Sequence, residues 1–242
     1  MSDEDRSLAD RAYDKLRRDL ISCRLPPGER LNITLLQNEL SLSQAAVREA
    51  LSRLVSDGLV EAERNRGFRA MPVSLEGFRD LVEACMVVEL PCIRAAMEEG
   101  DIEWELGLVS TYHRAKRTLE LVVEGREDVE RYTTERLAFY EALLGACSNN
   151  WLMRAWRMLY AQNMRYRHLY MPLARFELEH NALHEAIMAA VLKRDVELVL
   201  KLSRDNYEAI MAFIEQSIVD EIKPTARKPR SDQKVSKKSV RS

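Results

Sequence analysis

The chain lacks several things that would have named a function early. No apolar run reaches the roughly 18 residues that a bilayer-crossing helix needs, so no membrane span is expected. There is no glycine-rich loop of the kind that cradles phosphates, which argues against nucleotide chemistry. Cysteine is sparse. Cys23, Cys85, Cys92 and Cys147 show no CxxC spacing, so neither a zinc knuckle nor a redox pair is indicated, and free thiols are expected. The opening MSDEDRS is acidic and lacks an apolar core, which does not fit a secretory signal. A cytoplasmic location is the expectation from these absences. Residues 74–222 hold only five Gly and two Pro in 149 positions and show no strand-period segment, so this region reads as all helical.

Net charge is −2 over 242 residues, too little to suggest a nucleic-acid partner. The distribution says more. Residues 1–73 hold 12 basic and 12 acidic side chains, residues 74–222 hold 17 and 26, and residues 223–242 hold 8 and 1. The acidic excess thus sits in the helical block. The first block can still gather its arginines on one face, and phosphate contact depends on that local face.

The stretch SLSQAAVREALSRLVSDG at 41–58 carries the most information. ITLLQNEL precedes it and LVEAERNRGFRAM follows, an order that reads as short helix, turn, second helix and β-hairpin. That is the order of a winged helix-turn-helix, which lays its second helix in the DNA major groove. Leu35, Leu36 and Leu40 form the apolar stripe of the first helix, and Val47, Leu51, Leu54 and Val55 that of the second. Ser41 or Ser43 is placed to cap the second helix. An earlier helix is expected from Leu8 to Ser22, with Leu8, Ala12, Leu16, Leu20 and Ile21 inward. The candidate DNA contacts are Thr34, Ser43, Gln44 and Arg48 around the helix-turn-helix, with Arg64, Arg66, Gly67 and Arg69 on the wing.

Through PPGERLN and VREALSRLVSDGLVEAERNRGFRA, residues 7–73 resemble the DNA-binding domain of the GntR family of bacterial transcriptional regulators. One departure matters. Where many members have Ser-Arg or Thr-Arg at the helix start, this chain has Ser43-Gln44. Arginine pairs bidentately with guanine and glutamine with adenine, so a different operator is implied.

Helices are expected at about 75–99, 102–124, 127–147, 149–170, 176–193 and 195–218, with Pro91 kinking or splitting the first of them. The fold class is therefore mainly α: an N-terminal winged helix-turn-helix (7–73), an all-α bundle (74–222), and a basic, disordered tail (223–242). LAFYEALLGACSNNWL and HEAIMAAVLKRDVELVLKLSRDNY make the bundle resemble the FCD effector domain of the FadR-like branch. That resemblance implies a divalent metal held by an Asp and a His four residues apart and by two later His. Carried onto this chain, those positions are Arg136, Tyr140, His184 and Asn206. An arginine stays protonated and repels a cation, so the family metal is expected to be absent and no cofactor is assigned. A His180–His184 pair with Glu177 is the alternative metal site. The resemblance also implies an arginine on the first bundle helix, where this chain offers Cys85 or Met86.

In the metal's place, Arg136 is expected to grip a carboxylate or phosphate effector, with Tyr140, His184 and Asn206 around it and Arg165 adding charge from the segment QNMRYRHLY. An ion pair from Arg136 to Glu135, Glu141 or an acid on a neighbouring helix is the competing reading. The expected function is a transcriptional regulator, a repressor, binding a double-stranded operator as a homodimer and answering to a small-molecule effector such as an organic acid. Two other readings stay open. One is an architectural DNA-binding protein without an effector. The other is an enzyme on the helical domain, for which nothing in the sequence activates a nucleophile.

Overall fold

The computed structural model describes residues 7–64, 66–179 and 181–222. The basic stretch 223–242 and His180 lie outside them, and so do the expectations placed on those residues.

The winged domain starts with α1 (Leu8–Ile21), whose first turn is capped by the Ser7 hydroxyl. β1 (Arg30–Leu31) and α2 (Ile33–Leu40) follow. Ser41 then closes α2 in the left-handed conformation (φ 53°), and Ser43 opens α3 (Gln44–Ser56) by accepting from the Ala46 N–H at 3.2 Å. The two serines thus split the work: Ser41 makes the turn and Ser43 makes the cap. β2 (Val60–Glu63) and β3 (Gly67–Ala70) form the wing, antiparallel with Glu63 opposite Gly67. β1 pairs with the other edge of β3, giving the order β1-β3-β2. Two residues carry no periodicity, which is why β1 is invisible in the sequence. Leu16, Leu20, Val47, Leu51, Leu54 and Leu59 build one core beneath these elements.

Two apolar residues fall outside the expected stripes. Leu8 is 50% exposed, its inward place being taken by Ala9, and Leu35 is 59% exposed while Leu36 alone of α2 is fully buried. Leu8 stands at the first position of α1, beside the buried row Ala9, Ala12, Leu16 and Leu20, and the eight-residue α2 has room for only one inward row.

The bundle consists of α4 (Leu75–Glu99), α5 (Ile102–Val123), α6 (Val129–Leu143), α7 (Asn150–Tyr170), α8 (Leu173–Glu179), α9 (Asn181–Leu192) and α10 (Val196–Ile222). Short polar caps start most of them: Ser74, Asp101, Asp128 and Asn149 each accept backbone N–H groups of the first turn. Gly125 (φ 70°) makes the left-handed turn out of α5. The expected helix 176–193 is two helices, α8 starting earlier, directly after Pro172.

Pro91 does not split α4, which runs unbroken from Leu75 to Glu99. Pro91 and Val87, the residue whose carbonyl loses its partner, both lie on the solvent side, where water can replace the missing bond. On its other face α4 packs against α7 and α10 through Cys85, Cys92, Ile93 and Ala96. Buried Glu89 holds these three helices together, accepting from Trp156 Nε1 and from the Tyr207 hydroxyl, both at 2.8 Å.

Candidate DNA interface and effector centre

The N-terminal end of α3 is bare. Ser43, Gln44 and Arg48 are exposed there, Gln44 and Arg48 one helical turn apart on the same face. Thr34 is exposed at the start of α2. At the tip of the wing Arg64 and Arg66 are exposed, and Gly67 (φ 92°) adopts a backbone conformation that other residues resist. These groups have the open polar character that a groove-reading surface needs.

Arg69 departs from the expectation. It is half-buried, its Nε donates to Glu63 Oε1 and its Nη1 to the Gly28 carbonyl, both at 2.6 Å. It braces the wing against the turn before β1. The Arg69 guanidinium also holds the Glu63 carboxyl below the usual carboxylate range. Alternation places Arg69 of β3 on the same sheet face as Glu61 and Glu63 of β2, while Arg64 and Arg66 sit in the loop.

In the bundle the side chains converge on Glu177 of α8. Arg167 Nη1 donates to Glu177 Oε1 at 2.5 Å, and Arg136 Nε lies 3.3 Å from the same oxygen without hydrogen-bond alignment. All three are buried. Arg136 Nη1 donates to the Tyr160 hydroxyl at 3.0 Å, and its Nη2 lies 3.4 Å from the Tyr140 hydroxyl. Tyr140 in turn lies 3.5 Å from His184 Nε2, which faces Glu177 Oε2 at 3.8 Å. Burial opposes the Glu177 charge, yet Arg136 and Arg167 overcome it and hold the carboxyl down at about 2. Burial also opposes the Arg136 charge, and Glu177 with the surrounding phenols carries it well above the usual arginine range.

Arg136 is therefore not the bare guanidinium that the substitution pattern suggested. It is ion-paired with an acid on a neighbouring helix, Glu177, rather than with Glu135 or Glu141. Glu135 is taken by Arg114 and Arg131, and Glu141 by Arg157.

The structure brings Arg136, Tyr140, His184 and Asn206 around one centre. Arg136, Tyr140 and His184 line a space of about 30 Å³. Arg136, Tyr140 and Asn206 line another of about 20 Å³, together with Glu89, Asn163 and Arg167. Each is large enough for one water. Among the described residues, Asn163 Nδ2 and Arg136 Nε are buried there without hydrogen-bond partners, and Tyr112 OH is a third such atom at the first space. Cys85 lies deeper, packed against α10, with burial pushing its thiol up to about 12. No cluster of His, Cys, Asp and Glu suited to a metal occurs among the described residues.

Arg165, expected at this centre, is absent from it. Arg167, two residues on, takes the role, because two positions on a helix are roughly 200° apart and face opposite ways.

Two family models cover most of the chain. Residues 8–69 match the bacterial regulatory proteins of the gntR family, and residues 80–209 match the FCD domain. The HTH-type transcriptional regulator BphR of Paraburkholderia xenovorans LB400 is 36% identical over 218 residues, 87% of this chain and 86% of that protein. The chain belongs to the GntR family. It is a helix-turn-helix transcriptional regulator whose FCD domain is the effector-binding part. The HTH-type transcriptional repressor GlaR of Escherichia coli K12 is 26% identical over 211 residues, 85% of this chain and 95% of that protein. Two solved structures share the fold. McbR/YncC of E. coli superposes with a TM-score of 0.75 at 20% identity, covering 88% of this chain and 99% of that one. A GntR transcriptional regulator from Rhodococcus sp. RHA1 gives 0.70 at 22% identity, covering 86% and 97%.

In this GntR-family regulator the two domains meet on α7. Buried Arg165 donates to the Met71 carbonyl at the exit of the wing and to Gln162 Oε1 at 2.8 Å. Gln162 Nε2 donates to the Gly58 carbonyl, just past the recognition helix α3, at 2.7 Å. The Tyr166 hydroxyl donates to the Ser74 carbonyl at 3.1 Å. Ile21 of α1 packs against the buried cluster of Leu119, Tyr132 and Met164. The opposite face of α7 supplies Tyr160, Asn163 and Arg167 to the candidate effector centre. One helix thus touches both sites. No local pattern in the sequence marks Gln162, Asn163 or Tyr160 for these parts, since their partners lie on distant segments.

Proposed function

We propose that this regulator is a cytoplasmic repressor that binds a two-fold operator as a homodimer and releases it when an organic anion enters the bundle centre without the help of a metal. The observation that carries this is the pair of buried guanidiniums, Arg136 and Arg167, sharing one carboxylate oxygen of Glu177. Arg136 Nε, though ion-paired with Glu177, and Asn163 Nδ2 have no hydrogen-bond partner among the described residues, so donor capacity is in surplus. A carboxylate effector supplies what is missing. The positions to which the FCD resemblance assigns a cation are Arg136, Tyr140, His184 and Asn206. This set does not fit a divalent cation, because Arg136 brings a fixed positive charge to its centre.

The spaces now present are too small for an effector larger than water. Entry must therefore spread the helices around Glu177 and shift α7, and with it the contacts to Gly58 and Met71 beside α3 and the wing. That links the two sites through one element. Repression is the activity named for the relative GlaR. Support for a homodimer comes from α5, where Ile102, Leu106 and Val109 recur along one face and are all exposed. Such a row is suited to burial against a second copy. Gln44, exposed at the tip of α3, is suited to read adenine.

The test is fluorescence anisotropy of the protein on its own upstream duplex while small organic acids are titrated, for wild type and Arg136→Ala. An acid that releases wild type from the duplex and leaves Arg136→Ala bound supports the reading. Equal response of the two proteins rejects it.

A further inference from the structure

The winged domain and the bundle do not close completely on each other. Between α1, α6 and α7 lies a cavity of about 330 Å³. It is far larger than either space in the effector centre, and it reaches the size at which small-molecule sites begin.

Its walls differ in character. Ile21, Leu137, Tyr160, Ala161 and Met164 form an apolar floor with one aromatic face. Arg17 and Arg18 of α1 stand at the side that belongs to the winged domain. Neither forms an ion pair among the described residues. Two acids also line the cavity, but each is engaged: Glu130 by Arg24, and Glu141 by Arg157 at 3.1 Å. The charge left without a counter-ion is therefore positive. Thr133 and Thr134 give their hydroxyl protons to the Glu130 carbonyl at 2.9 and 3.0 Å, which leaves their oxygens free to accept. His168 borders the cavity too, and burial lowers its pKa, so it offers a neutral ring.

We propose that this interdomain cavity is a second ligand site for a small organic anion with a flat apolar body, the acid head lying against Arg17 and Arg18 and the body against Tyr160 and Met164. The site is separate from the effector centre and does not depend on it. The two nevertheless share walls. Tyr160 and Met164 also receive Arg136 Nη1, at 3.0 and 3.6 Å. A ligand here would sit between the domains and press on side chains that the bundle centre also uses.

The probe is 8-anilinonaphthalene-1-sulfonate, an aromatic anion whose fluorescence rises in apolar surroundings, titrated into the full chain without DNA. Saturable binding of one dye per chain is expected. The double variant Arg17→Ala/Arg18→Ala should weaken it by roughly tenfold or more, the effect of losing a charge-assisted contact. Ala161→Trp, which fills the floor, should remove it, with circular dichroism confirming the fold. The double variant changes only half-buried or exposed positions of α1, so its result stands even where the Trp variant fails to fold. Unchanged dye affinity in Arg17→Ala/Arg18→Ala overturns the proposal. Loss of binding in Arg136→Gln with no loss in the double variant also overturns it, since the dye would then occupy the effector centre.

Discussion

At the wing tip Arg64 and Arg66 stand in water, while in the bundle Arg136 and Arg167 are almost wholly removed from it. The same side chain has two uses. On the wing it is solvated and free to meet phosphate, at little cost to the fold. In the bundle its charge is tolerable only because Glu177 lies against it and Tyr140, Tyr160 and Asn163 take up hydrogen bonds around the pair. Substitutions on the wing should therefore change DNA binding and leave stability alone. Substitutions at the centre should change stability first. Arg69 and Arg165 stand between these cases: Arg69 within the winged domain and Arg165 against it each have their guanidinium engaged in contacts that brace structure.

The largest break in this contrast should come from Glu177→Leu. It leaves two buried guanidiniums without their acid, a loss of about 3–5 kcal/mol by the usual cost of breaking a buried pair, read from urea denaturation. A change within 0.5 kcal/mol, on the order of ordinary surface substitutions, would mean that the centre is open to water.

Next is Arg165→Leu. It orphans the Met71 carbonyl and breaks the contact with Gln162, for a loss of about 1–3 kcal/mol. Operator affinity should also fall, because the wing exit loses its support. If stability falls while DNA binding and effector response stay as in wild type, α7 is not the link between the sites.

Gln44→Ala should weaken operator binding by about tenfold through loss of one base contact, with stability unchanged. A uniform loss on operator and unrelated duplex alike would assign Gln44 to the backbone. Arg66→Ala is the mildest. It should reduce the slope of log affinity against log salt by about one, with equal effect on every duplex. Arg69→Ala sharpens the comparison, since it should lower stability by loosening the wing as well as weakening DNA binding.

Acid should separate the two regions as well. Glu177 has its carboxyl lowered from 4.5 to about 2 in the fold. Its contribution is thus fully present above the unfolded value and drains away as pH falls from about 4.5 toward 2. Glu177→Gln should flatten this part of the stability–pH curve. A curve of unchanged shape would show that the pair does not hold the bundle.

Much of the architecture was legible in the residues. The polar caps Ser43, Ser74, Asp101, Asp128 and Asn149 stand where the helices begin, because a cap is a local interaction between a side chain and the next turn. Apolar spacing placed α3 and most bundle helices within a few residues. It missed β1, which has no length to show a period, and it overrated Pro91, whose lost hydrogen bond faces solvent. The candidate site was legible as positions but not as partners. Arg136, Tyr140, His184 and Asn206 do share a centre, yet Arg165 faces away from it and Arg167 enters.

What the sequence by itself determined is the succession of elements, the polar, exposed start of α3 at Gln44 and Arg48, and an arginine at position 136 where the family resemblance implies a metal ligand. These follow from local pattern and from residue type. Tertiary structure alone decided that Glu177 neutralises Arg136, that α7 joins the two domains, and that a cavity opens between α1 and the bundle. Each depends on groups far apart in the chain, and only the packing of helices determines which buried charge meets which partner.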